Sequence, residues 1–182
     1  QSVAMAGVVY FLALLVHLAE WAALRQPAAD RALVAAGSVS EAEVDAPQDR
    51  SNRVAFLGRA GFLLTVVAVV LHFAALVGRG MAADPNRVPW GTMYEFSISG
   101  AWFVVLIYLA TYRRFKLSWL APLVVGFVVA VLMTAVVWLH KPVTPLTEAL
   151  DSPWLVIHVV SAVIATAAFS IGGLLVILFL LK

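Results

Sequence analysis

The sequence predicts an all-α protein, a polytopic membrane helix bundle with about five transmembrane helices. Composition is the first reason: hydrophobic residues make up 63% of the 182 positions and charged ones 12%, and the mean hydropathy is +0.98. A water-soluble domain of this size cannot hide that much apolar surface. Run length is the second: the apolar residues gather into stretches of the ~20 residues that a helix needs to cross hydrocarbon. The third is periodicity, because the runs lack strict alternation and far exceed the ~10 residues of a barrel strand, which sets a closed β-barrel aside.

The spans are read as Val3 to Leu24, Ala55 to Val77, Met93 to Tyr112, Leu117 to Leu139 and Trp154 to Leu181. The first has no basic leader and no small-residue cleavage site, so it is a helix rather than a signal peptide. Because the chain opens on Gln1 and stops at Lys182 while the fifth span is still apolar, both ends are expected to be cut. The expected domains are a first transmembrane helix over 1–25, a polar cytoplasmic loop over 26–54, and a four-helix region over 55–182 with outer loops at 78–92 and 140–153. The polar loop, rich in Ala, Asp, Glu, Ser and Pro, carries no chemistry of its own.

Orientation follows from the excess of Lys and Arg that stays in the cytoplasm. Arg25, Arg31, Arg50, Arg53, Arg59, Arg113, Arg114, Lys116 and Lys182 fall on one side, and only Arg79, Arg87 and Lys141 on the other. The N-terminus and the loops Gly78 to Thr92 and His140 to Pro153 are therefore expected outside, in the plasma membrane of a bacterium.

Several chemistries are excluded. Without cysteine the chain brings no disulfide, thiolate metal site or thiol relay. It has no glycine-rich phosphate loop, no serine elbow and no basic stripe for nucleic acid, and its net charge of +2 is spent on topology.

The four histidines remain. At ~1.5 Å per residue, His158 lies about 6 Å inside the outer end of the fifth span and His72 a similar distance inside the second. His140 ends the fourth span at the same face, while His17 sits about 21 Å from the outer end of the first. A polar ring in hydrocarbon costs free energy unless it finds a partner, which makes an intramembrane histidine a candidate site. Haem iron is a suitable partner for neutral imidazole. Trp90, Tyr94, Trp138 and Trp154 line the same rim, and Arg79, Arg87 or Lys141 could pair with propionates. Each feature has a plainer reading beside this one. Edge tryptophans form interfacial belts, lone histidines bond to a neighbouring helix, and Arg59 and Glu95 sit where snorkelling or a helix N-terminus accounts for them.

Two motifs narrow the choice. The segment RVPWGTMYEFS, residues 87 to 97, and the run PLTEALDSPWLVIHVVSAVIATAAFS, residues 145 to 170, together resemble the haem-handling membrane proteins of system II cytochrome c maturation, the Ccs (CcsA/ResC-like) type. The matching positions are Pro89, Met93, Tyr94 and Glu95, then Leu150, Ser152, Trp154 and His158. Thr92, Glu148, Asp151 and Thr166 depart from the usual asparagine, proline, glutamine and tyrosine.

The resemblance implies a multi-pass protein that holds haem b at the outer face for covalent attachment to an apocytochrome c, as part of a synthase (haem lyase) complex with a second membrane subunit. His158 would be an axial ligand of the haem iron, with Trp154, Tyr94, Trp90 and His72 as further haem-binding residues. The tryptophan-rich outer segment and further histidines of the family are not in these residues, so the chain is expected to be the N-terminal portion of a larger synthase. Two other readings stay open: a haem b electron-transfer subunit exchanging electrons with quinone, with His72 and His158 clamping one haem, and a non-haem transporter or assembly module, which the pair Gly172 and Gly173 would serve as a helix break.

Overall fold

The structure, a computed structural model, describes residues 2–37, 47–84, 86–115, 117–142 and 152–180. Among these residues all regular structure is helical: α1 (Ser2–Ala35), α2 (Pro47–Met81), α3 (Met93–Tyr112), a short 3₁₀ turn (Leu117–Leu120) that runs into α4 (Ala121–Thr134), a π-helical turn (Ala135–Leu139), and α5 (Pro153–Leu180). Five segments are long and apolar enough to cross a membrane: Ser2–Gln26, Gln48–Met81, Met93–Tyr112, Leu117–Leu139 and Trp154–Leu180. The expected fold class and the five spans are those found.

The helices outrun the expected boundaries. α1 continues to Ala35 and α2 begins at Pro47, so both extend through much of the stretch expected as a loop over 26–54. Ala and Leu in this stretch are good helix formers even where hydropathy falls. The two extensions are tied where Arg50 Nη2 donates to Asp30 Oδ2 at 2.6 Å. At its other end α2 carries on to Met81, which converts the first residues of the expected loop 78–92 to helix. The fourth span starts as 3₁₀, with Pro122 in the first turn of α4, where its missing N–H costs nothing. It ends at His140, whose ψ of 122° leaves the helical region just before Lys141 and Pro142.

Two seams of different quality hold the bundle. α1 packs along α2 and also touches α4. This seam is built on small residues, with Ala6, Ala13, Ala68 and Ala75 buried, so the backbones come close, as membrane helices without a hydrophobic driving force require. α3 packs on α4 through Ile98, Val104, Val105, Leu120, Val124, Val125 and Val128, all buried. By contrast α5 leans mainly on α3 and buries only a narrow stripe, Val163, Ala167 and Ile171, at four-residue spacing.

Midway along the first seam sits a polar tie. The Thr65 hydroxyl donates to the Gly61 carbonyl at 2.8 Å, so its oxygen accepts from His17 Nε2 at 3.3 Å, and His17 Nδ1 meets Glu20 Oε2 at 3.3 Å. With Nε2 as donor, the second contact forms only if the His17–Glu20 pair holds one further proton, on Nδ1 or on the carboxyl. Gly61 makes the room, because a Cβ there would lie 2.6 Å from the His17 ring. Gly61→Ala is therefore expected to lower the stability of the bundle by about 1–3 kcal/mol, the usual cost of overpacking, whereas Gly7→Ala, whose Cβ would meet nothing within 4 Å, leaves it unchanged. Unfolding of the two variants in mixed micelles with increasing denaturing detergent checks both.

Candidate functional site

Helix α3 begins with a capping pattern, Thr92 followed three residues later by Glu95. The Thr92 hydroxyl accepts the Glu95 N–H at 3.2 Å. In a capping box the carboxylate would reach back to the N–H of Thr92. Here Glu95 reaches one residue further, accepting from the Gly91 N–H at 2.8 Å through Oε2. That shift aims the carboxylate into the protein, where it is only 1% exposed.

A carboxylate so buried must be neutralised. Arg79, in the last turn of α2, donates Nε–H to Oε1 at 2.9 Å, and Arg87, in the connection, donates Nη1–H to Oε2 at 2.9 Å. Charge-assisted bonds of this length are the strong kind. Arg79 reaches further: its Nη2 donates to the Lys141 carbonyl at 2.7 Å, and its guanidinium lies 4.7 Å from the centroid of Tyr94. Tyr94 in turn meets His140 edge to face at 5.0 Å. The connection is fastened again where the Arg87 N–H donates to the Gly80 carbonyl at 3.2 Å; a Cβ on Gly80 would stand 2.6 Å from the Arg87 carbonyl oxygen. One carboxylate thus joins the end of α2, the connection 86–92, the start of α3 and the exit of the fourth span.

Beside this node lies an open cavity of about 540 Å³. Its walls are mostly apolar and aromatic, with Phe73, Val77, Trp90, Trp102 and Phe103, and with Arg87 and Ser99 among its few polar side chains. The Trp102 indole N–H is already bound to the Val69 carbonyl at 3.1 Å, which fixes that ring as wall rather than donor.

The sequence-expected residues separate into three places. Trp90 lines the cavity, and Tyr94 is buried beneath Arg79. His72 is fully buried in the seam of α1 and α2, edge to face with Tyr10 at 5.9 Å. Among the described residues both of its ring nitrogens and the Tyr10 hydroxyl lack hydrogen-bond partners, and the Ile98 carbonyl faces the ring without completing a bond of ordinary geometry. Trp154 and His158 lie one turn apart on α5, with Trp154 79% exposed and His158 also exposed. His72 and His158 therefore do not share a slot. Leu150 and the rest of 143–151 lie outside the described residues. Arg79 and Arg87, expected as propionate partners, are engaged by Glu95, and Lys141 is exposed.

Sequence reasoning set Glu95 aside as a helix-end residue; the signal for more was the cap spacing Thr92 to Glu95 in a stretch flanked by two arginines. Among the described residues no group of three or more His, Asp or Glu side chains is placed to hold a metal ion, and the expected role for His158 is that of a single imidazole toward a prosthetic group. His158 fits such a role, since its ring is uncovered and a large aromatic surface sits one turn away. His72 does not fit without parting α1 from α2.

Two cyanobacterial proteins are similar to this chain. The cytochrome c biogenesis protein CcsA of Synechococcus sp. (strain JA-3-3Ab) is 30% identical across 69% of this chain and 40% of its own length. That of Synechococcus sp. (strain JA-2-3B'a(2-13)) is 28% identical across 69% of this chain and 39% of its own length. The chain thus spans about two fifths of the length of the curated relatives it matches. No family model and no solved structure matches it.

Glu95→Gln would leave two part-buried guanidinium groups facing a buried neutral amide. Breaking a buried ion pair from one side costs about 3–5 kcal/mol, so this variant is expected to unfold at markedly lower denaturant and to show faster proteolysis in 82–92. His72→Phe removes two nitrogens that have no partner among the described residues and keeps a flat, though larger, aromatic ring; its stability is expected to stay within about 1 kcal/mol of wild type or to rise. Detergent unfolding and limited proteolysis of the two variants side by side test the contrast.

Proposed function

We propose that this chain, a relative of the CcsA cytochrome c biogenesis proteins, handles haem for cytochrome c maturation and presents it at the end of the bundle that carries Glu95 and the connection 86–92. The observation that carries the reading is on α5. Trp154 and His158 stand one turn apart on a face that the rest of the bundle leaves uncovered. An imidazole at a lipid-facing position costs free energy that coordination to iron offsets, and a broad indole beside it suits a flat macrocycle.

In this reading His158 is an axial ligand of haem b, Trp154 flanks the ring, and Lys141 takes a propionate. Arg79 and Arg87 act indirectly, by fixing the connection that presents Trp90. Bound haem supplies vinyl groups that accept the thiols of an apocytochrome c. In this reading the thiols come from the substrate, which suits a chain without cysteine, and the chain's own contribution is orientation. A second membrane subunit completes the synthase. The membrane is the bacterial plasma membrane, with the Glu95 end outside, the side that carries only Arg79, Arg87 and Lys141. Nothing in the geometry favours the electron-transfer reading, because its second ligand, His72, is enclosed against Tyr10.

The test uses the complete protein. His158→Gly is expected to lose most of the haem retained on purification and to cut maturation of a reporter cytochrome c in cells, and added imidazole is expected to restore part of both. Wild-type haem content and maturation in the variant would remove His158 as ligand.

A further inference from the structure

The opposite end of the bundle carries a second cleft, which shares no lining residue with the cavity beside Glu95. It has a volume of about 620 Å³ and lies between the end of the first span, the 3₁₀ turn and the last turns of α5. Trp21 and Trp119 form one wall and are joined where the Trp21 indole N–H donates to the Trp119 carbonyl at 2.9 Å. Leu24, Leu175, Leu178 and Phe179 form the rest. The single charged group in the lining is Arg25, whose guanidinium lies 5.4 Å from the Trp21 ring centroid. Arg25 is exposed and makes no ion pair with any described residue.

These features divide the cleft into two chemical halves. Its floor is hydrocarbon, in the size range of clefts that bind small ligands. Its rim is a tryptophan pair with a cation, the combination found where a protein meets the headgroup layer. The surroundings reinforce the sign: Arg113 and Arg114, at the end of α3 on this same side, are exposed, whereas the carboxylates Glu20 and Asp30 are bound to His17 and Arg50. An apolar slot with an unneutralised guanidinium at its mouth matches one occupant in charge and shape. We propose that this cleft binds an anionic phospholipid, whose headgroup phosphate pairs with Arg25 while an acyl chain lies over Leu24, Leu175, Leu178 and Phe179. The bound lipid fills the gap between α1 and α5, which the bundle otherwise links only loosely, and so sets how α5 stands against its neighbours.

The test is quenching of tryptophan fluorescence in the complete protein, reconstituted in phosphatidylcholine nanodiscs that contain a small fraction of brominated phosphatidylglycerol or brominated phosphatidylcholine. The signal assigned to the cleft is the part lost when Trp21 and Trp119 are both replaced by Phe. Brominated phosphatidylglycerol is expected to quench that signal at about fivefold lower mole fraction, the preference that one basic side chain near the surface supplies. In Arg25→Gln the preference falls to about one while quenching by phosphatidylcholine persists, and in Arg114→Gln it is retained. The proposal is overturned if wild type shows no preference, if Arg25→Gln keeps it, or if Arg114→Gln loses it equally, which would indicate general surface attraction. Inorganic phosphate at constant ionic strength is expected to leave the preference unchanged; if it abolishes it, the site takes free anions and not lipid.

Discussion

A single buried carboxylate, Glu95, sets the geometry of one whole end of this protein. At 1% exposure it cannot be left unpaired, and its partners come from two different places in the chain: Arg79 from the end of α2 and Arg87 from the connection that follows. Each arginine brings other groups with it. Arg79 carries the Lys141 carbonyl and the Tyr94 ring, Arg87 carries the Val88 and Gly80 carbonyls, and the carboxylate itself holds the Gly91 N–H. Two guanidinium groups meet one carboxylate here, while the exposed Lys141 is offset by the exposed Asp84, and the sequence adds Glu148 and Asp151 on this side, so the end carries no excess of positive charge. The two arginines thus serve the protein's own architecture, holding the connection against the start of α3.

The two seams divide the labour between rigidity and access. Along α1 and α2, buried alanines and the His17–Thr65–Gly61 tie give close contact on which α3 and α4 can rest. α5 is attached differently, through a stripe of three small or medium side chains, and its hydroxyls at Ser161, Thr166 and Ser170 donate back to carbonyls one turn earlier at 2.8–2.9 Å. Such bonds satisfy a hydroxyl in lipid without any neighbouring helix. The helix that bears His158 is therefore the one least constrained by its own bundle.

Much of this was legible in the sequence, and the reasons for what was not are specific. The five spans follow from hydropathy, since hydrocarbon sets a length that the apolar runs meet. Helix ends are less visible, because α1 and α2 continue beyond the membrane on helix propensity, and a hydropathy reading stops where the apolar residues stop. The rise per residue gives each histidine an expected position along its span. Facing was not legible: these helices are apolar all round, so no amphipathic stripe marks the side that packs. His72 and His158 were expected at the same depth with no sign of which way either faced, and the structure places one inside a seam and the other on an open face. Glu95 was read as a helix-end residue, and that role is real, since Thr92 caps the same turn. What the sequence did not reveal is that two arginines, 16 and 8 residues earlier, converge on it.

The contrast between the two histidines carries the functional argument further than either does alone. Both rings sit in helices meant for hydrocarbon, and both need an answer to the cost of burying imidazole. His72 is shut in by Tyr10, and its nitrogens have no partner, so the protein bears that cost inside a well-packed seam. His158 stands where nothing in the bundle covers it, beside an exposed tryptophan, on the most loosely held helix. A ring in that position can be satisfied only by something from outside the described bundle. In the proposed reading that partner is a metalloporphyrin, because an imidazole nitrogen can hold its iron and the adjacent indole offers a flat apolar face to its ring, which neither lipid nor a second apolar helix would use.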